Sequence, residues 1–260
     1  MNDLEITVQR LKKTEDAQQA YCCMTEVPTP WPGALCACRD WMSENLGRYV
    51  EGYHLQLEGS GVVGHLYYAM AEHALTPYKV EDKVAVVYCE WVQQRYQKQG
   101  FGHLIFETFL EDLETWGTKG ILVEATDIPG QMHMDHYLSR EFNVILEKGH
   151  QKLLYRPITQ AEIKVEPLQP QIQPRSGTPV EILVLSGYLC PYEAATLMLL
   201  PGVAQEFGDQ VILRQESLTP ESLRNYAAAR GIFVNGRSRF TGGESEEAIR
   251  RILIEEIERG

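Results

Sequence analysis

No apolar run in this chain approaches the ~20 residues that a bilayer-spanning helix needs. The opening MNDLEITVQRLKKTEDAQQ also lacks the apolar core of a secretory signal. Cysteine is sparse: six in 260 residues are no disulfide scaffold at this length, and they predict a reduced, cytoplasmic protein. Basic charge is in deficit, with 24 Lys and Arg against 36 Asp and Glu, a net charge of -12 and a pI near 5.1. That balance argues against nucleic acid or an anionic membrane as a partner held by bulk charge. No internal repeat is visible. What remains is an ordinary globular composition, 44% hydrophobic and 23% charged, with ample chain to bury a core and a length that suits one or two domains.

The most ordered signal is residues 84–110, VAVVYCEWVQQRYQKQGFGHLIFETFL. Residues 84–91 are β-branched and aromatic, as a buried strand requires. From His103 to Trp116, Leu104, Ile105, Phe109, Leu110 and Leu113 recur at helical spacing. Between them, Gly100 and Gly102 leave the backbone unobstructed at a helix start. There the free N–H groups of the first turn and the helix dipole favour an anion. No Gly-Lys-Ser/Thr follows, so this is no Walker loop, and the third glycine of a dinucleotide fingerprint is absent.

Elsewhere the pattern predicts a strand from Leu4 to Val8 and a helix over 15–23 capped by Thr14. Pro28, Pro30 and Pro32 break it, and a second helix follows over 35–46. A hairpin is expected over 52–57 and 62–70, a strand over 120–125, a helix over 134–140 and a last hairpin over 142–156. Residues 157–179 are rich in proline and glutamine and read as a semi-extended linker. Beyond it the order is strand, helix, strand, helix, strand, strand, helix. Thr219-Pro220-Glu221 marks a helix start, and Asn235-Gly236 a type I′ turn. The expected divisions are 1–157, a linker over 158–178, and 179–260. Periodicity alone supports only α/β or α+β.

Residues 92–102, VQQRYQKQGFG, resemble motif A of the GNAT acyltransferases, and the element order of the first 157 residues resembles that fold. The resemblance implies a mixed, mostly antiparallel sheet with helices, and acetyl-CoA as cosubstrate. It implies a pyrophosphate held by the backbone of Gln97, Lys98, Gln99, Gly100, Phe101, Gly102 and His103. It also implies main-chain contacts from Trp91 and Val92 to the pantetheine arm. Cys190-Pro191-Tyr192-Glu193, residues 231–236 and Gly242-Gly243 resemble a thioredoxin/glutaredoxin-like domain. In that family a second cysteine stands where Glu193 is, and a cis-proline where Arg230 is. The pairing of the two domains, with Cys22-Cys23, Arg39, Trp41 and Cys89-x-Trp91, resembles the YoaP-like acetyltransferases.

Acyl transfer to an amine requires removal of a proton, stabilisation of the carbonyl oxygen, protonation of the thiolate and close positioning. Glu90 is the candidate base, in an apolar strand beside the cofactor arm. The other role open to it is a solvated or salt-bridged carboxylate, and Glu124 is the spare. By resemblance Tyr137, in Tyr137-Leu138-Ser139-Arg140-Glu141-Phe142, is the candidate acid near the CoA sulfur, or a packed aromatic. Glu141 stands where the family has glycine.

His133 and His136 are three apart and could share a helix face around a metal, or serve as helix polarity; no metal is assigned. Cys22, Cys23, Cys36 and Cys38 invite a zinc site but lack the usual CxxC pair; they read as small buried hydrophobes, with a lining of the acceptor pocket as the other alternative. Cys190 lies at a helix N-terminus and is the candidate redox thiol, open to monothiol exchange, to pairing with another cysteine, or to being a relic in a binding module.

The expected function is acetyl transfer from acetyl-CoA to an amine of a small molecule or protein, by direct transfer in a ternary complex. A homodimer is open. The alternatives are a CoA-binding protein with a monothiol or ligand-binding module, and an adaptor.

Overall fold

The computed structural model describes residues 5–24, 31–129, 131–169, 171–227, 230–240 and 242–259. Leu4, Pro28 and Pro30 of the sequence reading lie outside them. By internal contact the chain divides into two units.

The first unit carries β1 (Ile6–Arg10), α1 (Thr14–Ala17), β2 (Glu51–Leu57), β3 (Gly61–Met70), β5 (Val84–Val92), α3 (Phe101–Thr115), β6 (Gly120–Thr126), α4 (Met134–Leu138), β7 (Asn143–Lys148) and β8 (Gln151–Pro157). Its sheet has the order β1-β2-β3-β5-β6-β8-β7. Every neighbouring pair is antiparallel except β5 with β6. This is the mixed, mostly antiparallel sheet expected. Two short strands, β4 (Tyr78–Val80) and β9 (Val165–Pro167), pair separately.

The helix α3 lies on one face of the sheet. Ile105, Phe106, Phe109 and Leu113 have no exposed surface and join Leu55, Leu66, Tyr68, Val87, Val123 and Leu154 in one core. The spacing of these α3 residues, three or four apart, puts them on one stripe. Burying each large side chain contributes roughly 1.5–3 kcal/mol.

The helix expected over 15–23 is not continuous: α1 stops at Ala17 and a 3₁₀ turn spans Cys22–Met24. Tyr21 sits between them with φ +63°, fully buried. Its N–H donates to Tyr67 Oη at 3.0 Å and its ring meets that of Tyr67 edge-on. Burial of this aromatic outweighs the helical tendency of its neighbours.

The turn after α4 keeps a glycine-like backbone without the glycine. Glu141 has φ +64°, so it adopts the left-handed backbone that glycine takes without cost. Its carboxylate pairs with Arg156 at 3.1 Å but is 82% exposed, so that pair is worth little. For an L residue the left-handed conformation costs about 1–2 kcal/mol. Glu141→Gly is therefore expected to raise stability by about 1 kcal/mol, read as a higher denaturant midpoint at unchanged slope. A lower midpoint would show that the ion pair outweighs the strain.

The second unit is not contiguous. It takes Glu26–Glu44 and Leu75–Tyr78 as well as Pro167–Gly260, whereas the sequence reading began this unit at 179. Its elements are α2 (Pro32–Asn45) up to Glu44, then β10 (Val180–Leu185), α5 (Pro191–Glu206), β11 (Val211–Gln215), α6 (Pro220–Tyr226), β12 (Gly231–Val234), β13 (Arg237–Ser238) and α7 (Glu246–Glu258). After the linker the expected strand–helix order is present. The sheet order is β11-β10-β12-β13, with β10 parallel to β11 and antiparallel to β12. Asn235 and Gly236 both have positive φ, 47° and 76°, as a type I′ turn demands. The helix α5 runs through Pro201.

Part of the linker is pinned rather than loose. The N–H of Gln171 donates to Tyr226 O at 2.9 Å, and that of Arg175 to Asn235 O at 3.0 Å. Within this unit Trp31 meets Tyr192 edge-on at 5.1 Å. A Cβ built on Gly33 would lie 3.1 Å from Met198 Cε, and one on Gly187 3.5 Å from Trp41 Nε1.

Candidate functional site

The strand β5 changes character at its middle. Its pairing with β6 covers Val84–Val87 against Gly120–Val123, yet β5 runs on to Val92 and β6 to Thr126. On its other side the register with β3 shifts between Tyr67 and Tyr68, so that Cys89 faces Tyr67 and Val87 faces Tyr68. Tyr88 is the extra residue of this bulge. The bulge reverses the alternation: Glu90 and Val92 turn to the α3 face, opposite Leu66 and Gly64, while Cys89 and Trp91 turn to the other.

The loop that follows is braced by its own side chains. Gln97 Nε2 donates to Val92 O at 2.9 Å, and Gln99 Nε2 to Arg95 O at 3.1 Å. Lys98 and Gly100 have positive φ, 61° and 87°. At Gly100 the left-handed turn starts α3, one residue before Phe101 and earlier than His103. Leu104 N–H bonds to Gly100 O at 3.0 Å, so the N–H groups of Phe101, Gly102 and His103 are the ones left to point out of the helix start. His103 is exposed, 3.6 Å from Glu107 one turn on.

Gly102 is the contact point with the rest of the site. A Cβ there would lie 3.3 Å from Arg140 Nη2, 3.6 Å from Glu90 Oε1 and 3.8 Å from His136 Cε1. These three form one cluster. Both carboxylate oxygens of Glu90 accept from Arg140 Nη1, at 2.8 and 2.9 Å, and His136 Nε2 is 3.2 Å from Glu90 Oε1. Only 3% of the Glu90 side chain and 10% of that of Arg140 are exposed. The guanidinium lies 4.4 Å over the Phe106 ring. Of the two roles open to Glu90, the geometry is that of the salt-bridged carboxylate. Sequence reasoning misses Arg140 and His136 as its partners, because only the bulge brings Glu90 to their side.

Tyr137 is buried against Phe142, ring centroids 5.4 Å apart. Burial first, and then the negative charge of Glu90, push its phenol well above the usual tyrosine range. It therefore stays protonated as a donor. Glu124 is exposed on β6. His133 and His136 part ways: His133 Nδ1 accepts from Asp135 N at 3.3 Å as the cap of α4, whereas His136 turns to Glu90. Among the described residues no group of three or more His, Cys, Asp or Glu side chains is arranged to hold a metal ion.

On the opposite face, Cys22 Sγ is 3.2 Å from His65 Nδ1, and Cys89 Sγ is 3.3 Å from His65 Nε2. The two thiols flank opposite nitrogens of one ring. Burial holds His65 down to about 3 and raises the Cys22 thiol. Cys22 and Cys38 are buried, Cys23 is half-buried and Cys36 exposed. Cys190 is the N-cap residue of α5, half-buried, with Pro191 in the first turn. Among the described residues no helix is long and apolar enough to cross a membrane.

A scan against protein-family models finds no match to this chain. A search of curated proteins finds none either. Among solved structures, the ribosomal-protein-S18-alanine N-acetyltransferase of Escherichia coli is 18% identical, with 61% of this chain and 97% of that one covered and a TM-score of 0.44. A GNAT-family N-acetyltransferase of Escherichia coli in complex with CoA is 13% identical, covering 61% and 84%, with a TM-score of 0.45. An acetyltransferase from Thermus thermophilus is 16% identical, covering 61% and 100%, with a TM-score of 0.45.

Proposed function

We propose that this chain is an acyl-CoA-dependent N-acyltransferase of the GNAT type, which takes an acetyl group from acetyl-CoA and gives it to an amine. One observation carries the reading. The pairing of β5 with β6 ends where the β5 bulge begins, and the strand then runs directly into a left-handed glycine turn at the start of a fifteen-residue helix. The N–H groups of Phe101, Gly102 and His103 suit a pyrophosphate. Trp91 and Val92, on the part of β5 that runs on past its pairing with β6, suit a pantetheine arm as its main-chain partners.

Chemistry at such a site is mostly positioning. The amine attacks the thioester carbon within a ternary complex. The C–S bond breaks, and the departing thiolate takes a proton donated by Tyr137. The raised phenol carries its proton at neutral pH. Glu90 is engaged by Arg140, so its contribution is to order α4 beside Gly102; the amine's proton leaves through water. The second unit, with Cys190 on a thioredoxin-like frame lacking a second cysteine at Glu193, serves as a binding module rather than a dithiol catalyst.

The test is titration of CoA into the whole protein, followed by an amine screen with Tyr137→Phe as the control variant. Binding in the micromolar range is expected for a cradle of this kind, with turnover falling about 10²-fold in Tyr137→Phe at unchanged CoA affinity. Turnover equal to the parent would remove Tyr137 as the donor, and absence of CoA binding would remove the acyltransferase reading.

A further inference from the structure

We propose that Cys89, held against the His65 imidazole, is a second acyl acceptor: with no amine bound, the chain moves the acetyl group of acetyl-CoA onto its own Cys89 sulfur. This inference rests on the CoA reading above and adds an acceptor to the same site. Cys89 lies just beyond Val87, where the pairing of β5 with β6 ends, and before Trp91. Its half-buried side chain turns to the face opposite α3. The negative charge of its thiolate reaches Tyr137: after burial and Glu90, Cys89 is the next cause that raises that phenol. The thiol is thus within electrostatic reach of the group that would protonate the leaving CoA sulfur.

The ring that holds Cys89 has little freedom. His65 has no exposed surface, and Tyr67 stacks on it with centroids 4.3 Å apart and planes 6° from parallel. Tyr67 is anchored in turn, its hydroxyl 3.0 Å from the N–H of Tyr21 and 3.0 Å from His54 Nε2. Burial keeps the imidazole neutral, so one ring nitrogen carries a proton and the other accepts one. Burial also keeps the proton on Cys22. That thiol is 3.2 Å from Nδ1 and 4.0 Å from Trp91 O, so its S–H donates to Nδ1. The ring's own N–H is then at Nε2 and donates to Cys89 Sγ at 3.3 Å. A donor of this kind supports negative charge on the attacking sulfur without placing a cation in the core. The step balances with no further reactant. Cys89 gives its proton to water and its sulfur attacks the thioester carbon. The new S–C bond forms, the CoA C–S bond breaks, and the departing thiolate takes the Tyr137 proton, which water replaces. One thioester replaces another, so free CoA reverses the step, and a bound amine competes for the same carbon.

The full chain is incubated with acetyl-CoA and no amine, quenched in acid and weighed by intact mass spectrometry. The expected result is a label approaching one acetyl group per chain, mapped to Cys89, released by neutral hydroxylamine and reversed by excess CoA. Cys89→Ala should abolish the label, whereas Cys36→Ser and Cys190→Ser keep it. His65→Phe leaves a ring against Tyr67 but no N–H, and should label about ten- to a hundredfold more slowly. Calorimetric titration of CoA checks that each variant still binds, and Cys89→Ala decides the acceptor by itself should His65→Phe not fold. Bound CoA with no label, a label that survives Cys89→Ala or resists hydroxylamine, or parent-rate labelling in His65→Phe would each overturn the inference and leave the CoA reading intact. Failure of the parent protein to bind CoA would overturn both.

Discussion

Gly102→Glu should abolish CoA binding, weakening it by at least about 100-fold, or roughly 2.8 kcal/mol. The loss has two sources. The first is steric, since a Cβ there already lies 3.3 Å from Arg140 Nη2 and the longer side chain must displace it. The second is electrostatic, since a carboxylate is brought both to the anion cradle and against Glu90. The backbone at Gly102, unlike that at Gly100, is not left-handed, so the variant should fold. Far-UV circular dichroism and a cooperative thermal transition would check this. Gly102→Ala adds only the first methyl and should lose about tenfold. Parent-like affinity in the glutamate variant would show that CoA, if bound, does not approach the first turn of α3.

The second large effect concerns the ion pair beneath the cradle. Glu90 and Arg140 are nearly buried, and removing one partner leaves an uncompensated charge against Phe106 and Leu66. Glu90→Leu is expected to destabilise by about 3–5 kcal/mol, and Arg140→Leu by a similar amount. The double variant replaces the pair by two apolar side chains of similar volume and should regain most of that loss. Denaturant unfolding of the four proteins measures the cycle, and additive losses would show that the pair is not coupled. The double variant also separates structure from chemistry. If it folds and still acetylates, Glu90 is no base; if it folds, binds CoA as the parent does and is silent, the pair is needed for the transfer step.

These two tests meet at the point where the sequence stops being readable. The strand–turn–helix of residues 84–115 was legible because each of its parts has a local cause: β-branched residues, a glycine that must turn left-handed, and an apolar stripe at helical period. The type I′ turn at Asn235-Gly236 was legible for the same reason. The face on which Glu90 lies was not. Side chains alternate along a strand, so one extra residue at Tyr88 moves every later side chain to the other face. That extra residue is set by the register with β3, a contact between segments distant in sequence. His136 escaped for the same reason, since its role comes from Glu90. The left-handed Glu141 was readable only as an exception, because its side chain gives no sign of the backbone beneath. Tyr21 likewise ends a helix through a partner, Tyr67, that lies in another strand.

The helix α2 lies early in the chain, but the elements it packs with in its unit, α5 and the turn after β10, come from the last third. On the ribosome α2 therefore emerges and waits. Its apolar side, with Ala34, Leu35, Cys38 and Met42, has no cover from that unit until β10 and α5 have been made. Chain order and assembly order differ: the first unit can close its sheet before the second has its later elements. Cutting between 157 and 179 would thus not yield two independent proteins, since it strands a helix of one unit on the polypeptide of the other.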